Sequence, residues 1–131
     1  MSRPARTEYS QFYQPYLDVI PDGDIALNDL LISSLEAFDA LFENLDSEKE
    51  NFRYAEGKWS IKELLQHIID AERIFAYRAL RFARKDVTVL SGFDENTYVE
   101  TCEAGNRTLS AMTEEFNLLR KTNGLMFESF S

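Results

Sequence analysis

The chain has 131 residues, 44% hydrophobic and 13% aromatic, enough for one small domain with a single core. Its formal charge of −9 argues against nucleic acid and anionic membranes as partners, because phosphate binding needs clustered Lys and Arg. The single Cys102 excludes an intrachain disulfide and suits a reducing compartment. No stretch nears the roughly 18 uninterrupted apolar residues of a membrane span, and the N-terminus lacks the apolar core of a signal peptide. A cytoplasmic protein is the expectation.

Residues 1–21 carry Pro4, Pro15 and Pro21 and cannot form one long helix. Tyr9, Phe12, Tyr13, Tyr16 and Leu17 read as an N-terminal arm or short helix laid against the remainder, with a small-ligand surface as the alternative. The domain proper is expected over residues 22–131. Its first main helix should start near Asp22 or Asp24, either of which can cap it. Leu27, Leu30, Leu31, Leu35, Phe38, Leu41, Phe42 and Leu45 fill a narrow arc at helical spacing. Asn28, Asp29, Glu36, Asp39 and Glu43 make the solvated face. The helix should end near residues 44–46. Residues 47–54 are charged and aperiodic, a linker with room for one helical turn.

Residues 58–85 carry the strongest signal. Ser60 and Glu63 form the S-x-x-E capping box, in which each side chain satisfies a free backbone N–H at the helix start. Trp59 precedes the cap, placed to staple against Leu64. Ile61, Leu64, Leu65, Ile68, Ala71, Phe75, Ala79 and Phe82 recur as one apolar stripe. Arg81, Arg84 and Lys85 suit the negative end of the helix dipole. Glu72 falls inside the apolar arc and calls for a cation, Arg78 or an Arg from a facing helix. His67, the only histidine, lies at the arc's edge. A histidine there is either a structural hydrogen-bonding group or a metal or catalytic one.

Residues 86–101 break the helical period. They read as a packed loop with one short helix at residues 95–101, where Asp94 serves as a cap. Cys102 reads as a small apolar residue rather than a reactive thiol. A last helix is expected over residues 106–127. Leu109, Met112, Phe116, Leu119 and Met126 form its stripe, and Glu114 and Glu115 lie on its surface. No Gly-rich phosphate loop, H-E-x-x-H motif or Cys cluster is present in the sequence.

Gly57-Lys58-Trp59-Ser60, His67-Ile68-Ile69-Asp70-Ala71-Glu72-Arg73, Tyr77-Arg78-Ala79-Leu80 and Gly92-Phe93-Asp94-Glu95-Asn96 together resemble the DinB/YfiT-like superfamily of metalloenzymes. The similarity runs from about Tyr16 to the end of the chain. It implies an all-α fold, an up-down four-helix bundle, of which this sequence carries three main helices and the N-terminal arm. It also implies a divalent metal, zinc or nickel, held by one histidine on the second helix and an H-x-x-x-H pair on the fourth. By that resemblance His67 is the first metal ligand and Phe93-Asp94-Glu95-Asn96 lies near the mouth of the pocket. The other two histidines are absent from this sequence, so the bundle domain is expected to be incomplete at its C-terminus.

The resemblance implies metal-dependent chemistry on a small-molecule substrate, of the thiol S-transferase or hydrolase type. The alternative is a non-catalytic helical module that binds itself or another protein. Three helices with four-helix-type stripes would leave an open groove exposing Ile69, Phe75, Met112, Phe116 and Met126. Soluble proteins rarely leave such patches bare, so a homodimer is expected.

Overall fold

The computed structural model describes residues 4–21, 23, 26–43 and 45–130. Among them every regular element is helical: α1 (Gln14–Asp18), α2 (Leu27–Phe42), α3 (Ile61–Ala83), α4 (Glu95–Thr101) and α5 (Leu109–Glu128), with short 3-10 turns before α1, before α3 and between α4 and α5. The all-α expectation holds.

The helix boundaries follow from local chemistry. In α3 the Ser60 hydroxyl accepts from the Glu63 N–H and the Glu63 carboxylate accepts from the Ser60 N–H at 2.7 Å, so the capping box is complete. The helix ends in a Schellman motif. Lys85 N–H donates to Phe82 C=O, Asp86 N–H donates to Arg81 C=O, and Lys85 takes the left-handed φ of +55° that this exit requires. Helix α4 spans the expected residues, and the Asp94 carboxylate accepts from the N–H groups of Asn96 and Thr97. Thr108 caps α5, so that helix starts at Leu109, two or three residues later than expected. The first main helix starts later too, at Leu27, with Ala26 offering no side-chain cap. Asp22 and Asp24, the expected caps, lie outside the described residues.

Helix α5 is the shared wall of the bundle. Both α2 and α3 pack on it, and they make no comparable contact with each other among the described residues. Helix α4 and the turn Ala104–Asn106 pack on α3. The core is Leu35 of α2, Leu65 and Ile69 of α3, Ala104, and Leu109, Met112 and Phe116 of α5. Leu65, Ile69 and Met112 are fully buried. Each such side chain contributes about 1.5–3 kcal/mol relative to exposure. The Phe38 ring sits 4.3 Å from that of Phe116 and 4.8 Å from that of Phe42. Cys102 packs against this cluster as a small apolar residue.

Three expectations are corrected. The first concerns the phase of α3. Its buried arc is Leu65, Ile69 and Ala76 together with Lys62 and Gln66, whereas Leu64, Phe75 and Phe82 of the expected stripe are 48%, 55% and 68% exposed. At 100° per residue these two arcs lie roughly 140° apart. Leu65 and Ile68 of the expected stripe do meet the core, so hydrophobicity finds part of the buried arc but centres the stripe too far round the helix. The true core arc is disguised by Lys62, whose ammonium is paired with Glu50 at 2.8 Å, and by Gln66, which accepts from Arg107 at 2.7 Å. The second correction follows from the first. Ile69, Met112 and Phe116 are not exposed flanks but core, and Phe75 alone of the five expected flank residues is an exposed large hydrophobic. The third concerns the arm. Phe12, Tyr13 and Tyr16 stay more than half exposed, and their ring contacts are with one another at 5.2–6.5 Å.

The charge inside α3 has its partner. Arg120 of α5 places a guanidinium nitrogen 3.1 Å from Glu72, with the two side chains only 15% and 17% exposed. Arg120 also donates to Ser34 of α2 at 3.0 Å, and Asn123 donates to Glu72 at 3.0 Å. The expected Arg78 is elsewhere, donating to Ser91 C=O. One cluster thus ties all three long helices. Glu72→Gln should cost about 2 kcal/mol in urea-induced unfolding, a little less than the 3 or more of a fully buried pair, because it strands the Arg120 charge. Adding Arg120→Met to that variant should recover part of the loss. An unchanged midpoint for Glu72→Gln would contradict the pairing.

Candidate functional site

The start of α3 and the loop before it build an open cleft of about 590 Å³. Its walls are aromatic and aliphatic: Phe52, Tyr54, Trp59, Ile61 and Leu64, with Asn96 reaching in from α4. Trp59 and Leu64, the expected staple partners, share this wall. The loop is held by its own chemistry. Arg53 donates to Lys58 C=O at 2.6 Å and to the Glu63 carboxylate at 2.7 Å. Gly57 turns the chain with a φ of +72°, a conformation that other residues rarely adopt. Ile61 and Lys62 N–H groups donate back to Phe52 and Glu50 carbonyls. The Arg53 guanidinium holds the Glu63 carboxyl below its ordinary range, against the opposing effect of partial burial, and the Ser60 N–H adds to the lowering.

His67 stands one ring behind this cleft. It is half-buried, and its imidazole centroid lies 4.9 Å from the Trp59 ring. On α3 it falls at the border of the uncovered arc of Leu64, Phe75 and Phe82. Its ring neighbour is therefore an indole and not a donor to a metal. Among the described residues no three His, Cys, Asp or Glu side chains come together in a group able to hold a metal ion. The residues present do not make up a set for the zinc or nickel that the resemblance implies, since such sites use three or four protein ligands. Asp94, in the segment expected at the pocket mouth, is occupied as the α4 cap. Asn96 does line the cleft.

Residues 30–130 match the DinB superfamily. The chain belongs to the DinB superfamily. The fold is also seen in the likeness to YfiT from Bacillus subtilis, described as a probable metal-dependent hydrolase with an unusual four-helix bundle topology. The TM-score is 0.67 at 15% identity, over 86% of this DinB chain and 67% of YfiT. At that identity the likeness establishes the fold alone. A comparison with curated proteins gives no significant match. No helix among the described residues of this DinB protein is long and apolar enough to cross a membrane.

A second charged cluster lies on the far side of α3 and escaped the sequence reading. Glu115, expected on the surface, accepts from Arg73 of α3 through one oxygen and from Arg107 through the other. Arg107 donates to Gln66, and Gln66 donates to Asp70 at 3.0 Å. Asp70 returns to Arg73 at 3.7 Å, closing a ring of five side chains. Partial burial by itself would raise the Glu115 carboxyl; hydrogen bonds from Arg73 and Arg107 outweigh it and hold the group below its ordinary value. The only signal in the sequence was two unassigned arginines, Arg73 and Arg107, which lie 42 and 8 residues from Glu115 and meet it only through the tertiary fold.

A carboxyl whose folded-state value is depressed contributes stability that is present above its unfolded value and lost as pH falls through the folded one. Glu115→Gln should therefore be less stable than the parent at pH 7. The difference should shrink as pH drops through and below the ordinary carboxylate range, and vanish once Glu115 is protonated in both states. Urea midpoints at a series of pH values check this; a pH-independent difference would contradict the charge-based account.

Proposed function

We propose that this DinB chain forms one wall of a metal-dependent site acting on a small molecule, with hydrolase or thiol S-transferase chemistry. His67 contributes one donor, and the remaining donors come from outside the described residues. The observation that carries the reading is the position of His67: half-buried against Trp59, beside a cleft of small-molecule size, and next to the α3 face on which Leu64, Phe75 and Phe82 stay about half exposed or more. The description of YfiT as a probable metal-dependent hydrolase supports the same reading. With a single imidazole available, calorimetry on the 131-residue chain should find Zn²⁺ and Ni²⁺ binding weaker than about micromolar. That weak binding should disappear in His67→Ala. Tighter stoichiometric binding, or binding that survives His67→Ala, would contradict the assignment.

The uncovered α3 face favours a second reading, a helical module that self-associates as a homodimer. Leu64, Phe75 and Phe82 lie on one side of a single helix and stay about half exposed or more, which is the kind of apolar patch that marks an interaction surface. Light scattering at micromolar concentration should then give twice the 15.2 kDa chain mass, falling to one chain in the Phe75→Glu, Phe82→Glu double variant. A monomer that binds no hydrophobic dye would contradict this reading.

A further inference from the structure

The cleft at the start of α3 has the makeup of a binding site independent of any metal. Its size falls within the range of small-molecule pockets, and such pockets combine apolar walls with a few placed polar groups. Three aromatic side chains line it: Phe52, Tyr54 and Trp59. Phe52 and Tyr54 are 58% and 74% exposed, a cost to solubility that packing of the fold does not explain. Flat π-faces of this kind suit a planar, aromatic guest.

The polar groups add a charge preference. Lys58 is the one charged residue lining the cleft, and its ammonium lies 6.0 Å from the Tyr54 ring centroid. It has no carboxylate partner among the described residues. The two neighbouring cations are committed: Arg53 to Glu63 and Lys62 to Glu50. The Asn96 side-chain amide also reaches the cleft and has no hydrogen-bond partner among the described residues. In a chain of net charge −9, an unpaired ammonium beside a neutral amide and three aromatic rings selects for an anion carrying a ring.

We propose that this cleft binds a small aromatic carboxylate, its ring against Trp59 and Tyr54 and its carboxylate toward Lys58 and Asn96. Because Trp59 is at once a wall of the cleft and the ring neighbour of His67, a guest there lies next to the proposed donor. The inference thus deepens the metal-site reading by naming a substrate class, and its test needs no metal, so the two fail separately.

Trp59 is the only tryptophan in the chain, so its fluorescence reports on the cleft. The probe is 3-phenylpropionate, titrated into the full 131-residue chain in the presence of a chelator, with 3-phenylpropionamide as the uncharged control. The expected result is saturable quenching by the carboxylate, with the amide binding several-fold more weakly. Lys58→Met should weaken binding of the carboxylate about fivefold and leave the amide unchanged. Tyr54→Ala should weaken both. Val87→Ala, almost fully exposed beyond the end of α3 and outside the cleft lining, should change neither. Circular dichroism confirms that each variant folds. No saturable change in Trp59 emission, equal binding of acid and amide, or indifference to Lys58→Met would each overturn the proposal.

Discussion

The architecture depends on α5 serving two neighbours at once. Helices α2 and α3 each bury their apolar residues against it, and among the described residues they make no comparable contact with each other. The bulk of the stabilisation is the contact of Leu35, Leu65 and Ile69 with Met112 and Phe116. Burial is not directional, so it does not by itself fix the rotation of α5 between its neighbours. The Glu72–Arg120 pair does: one guanidinium meets a carboxylate on α3 and a hydroxyl on α2, with its central carbon 4.9 Å from the Phe116 ring centroid. Shifting α5 by one turn would break both contacts and leave a largely buried charge without a partner.

That arrangement decides which face of α3 is left over. With Leu65 and Ile69 turned to α5, the arc of Leu64, Phe75 and Phe82 points away from the described core. YfiT, whose fold the chain shares, is described as a four-helix bundle. His67 stands at the border of the same arc. The cleft beside it is shaped by a different device, the Arg53–Glu63 bridge and the capping box that anchor residues 52–63.

Much of this was legible in the sequence because the signals are local. Ser60 and Glu63, Asp94 ahead of α4, and the breakdown of periodicity over residues 86–94 all rest on side chains meeting backbone a few residues away. Glu72 was legible as a charge needing a cation, since a charge in an apolar arc has few solutions, but the choice of Arg120 over Arg78 is tertiary. The phase of α3 was legible only in part, through Leu65 and Ile68. Both sides of the helix carry large hydrophobics, and the side that is buried is also the one bearing Lys62 and Gln66. Recognising it required knowing that Glu50 and Arg107 come from elsewhere in the chain to satisfy them. The exposed rings of the arm failed for a related reason, because aromatic content does not say what a ring packs against.

The central claim is that α3 turns Leu65, not its neighbour Leu64, into the core. Equilibrium urea unfolding of Leu65→Ala and Leu64→Ala tests it most directly, at a dilution where light scattering gives a single-chain mass. Leu65 is completely buried and Leu64 is 48% exposed. The account predicts a loss of about 2–5 kcal/mol for Leu65→Ala and less than about 1 kcal/mol for Leu64→Ala. Equal losses, or a larger one at Leu64, would mean that the helix is rotated toward the stripe its sequence first suggests.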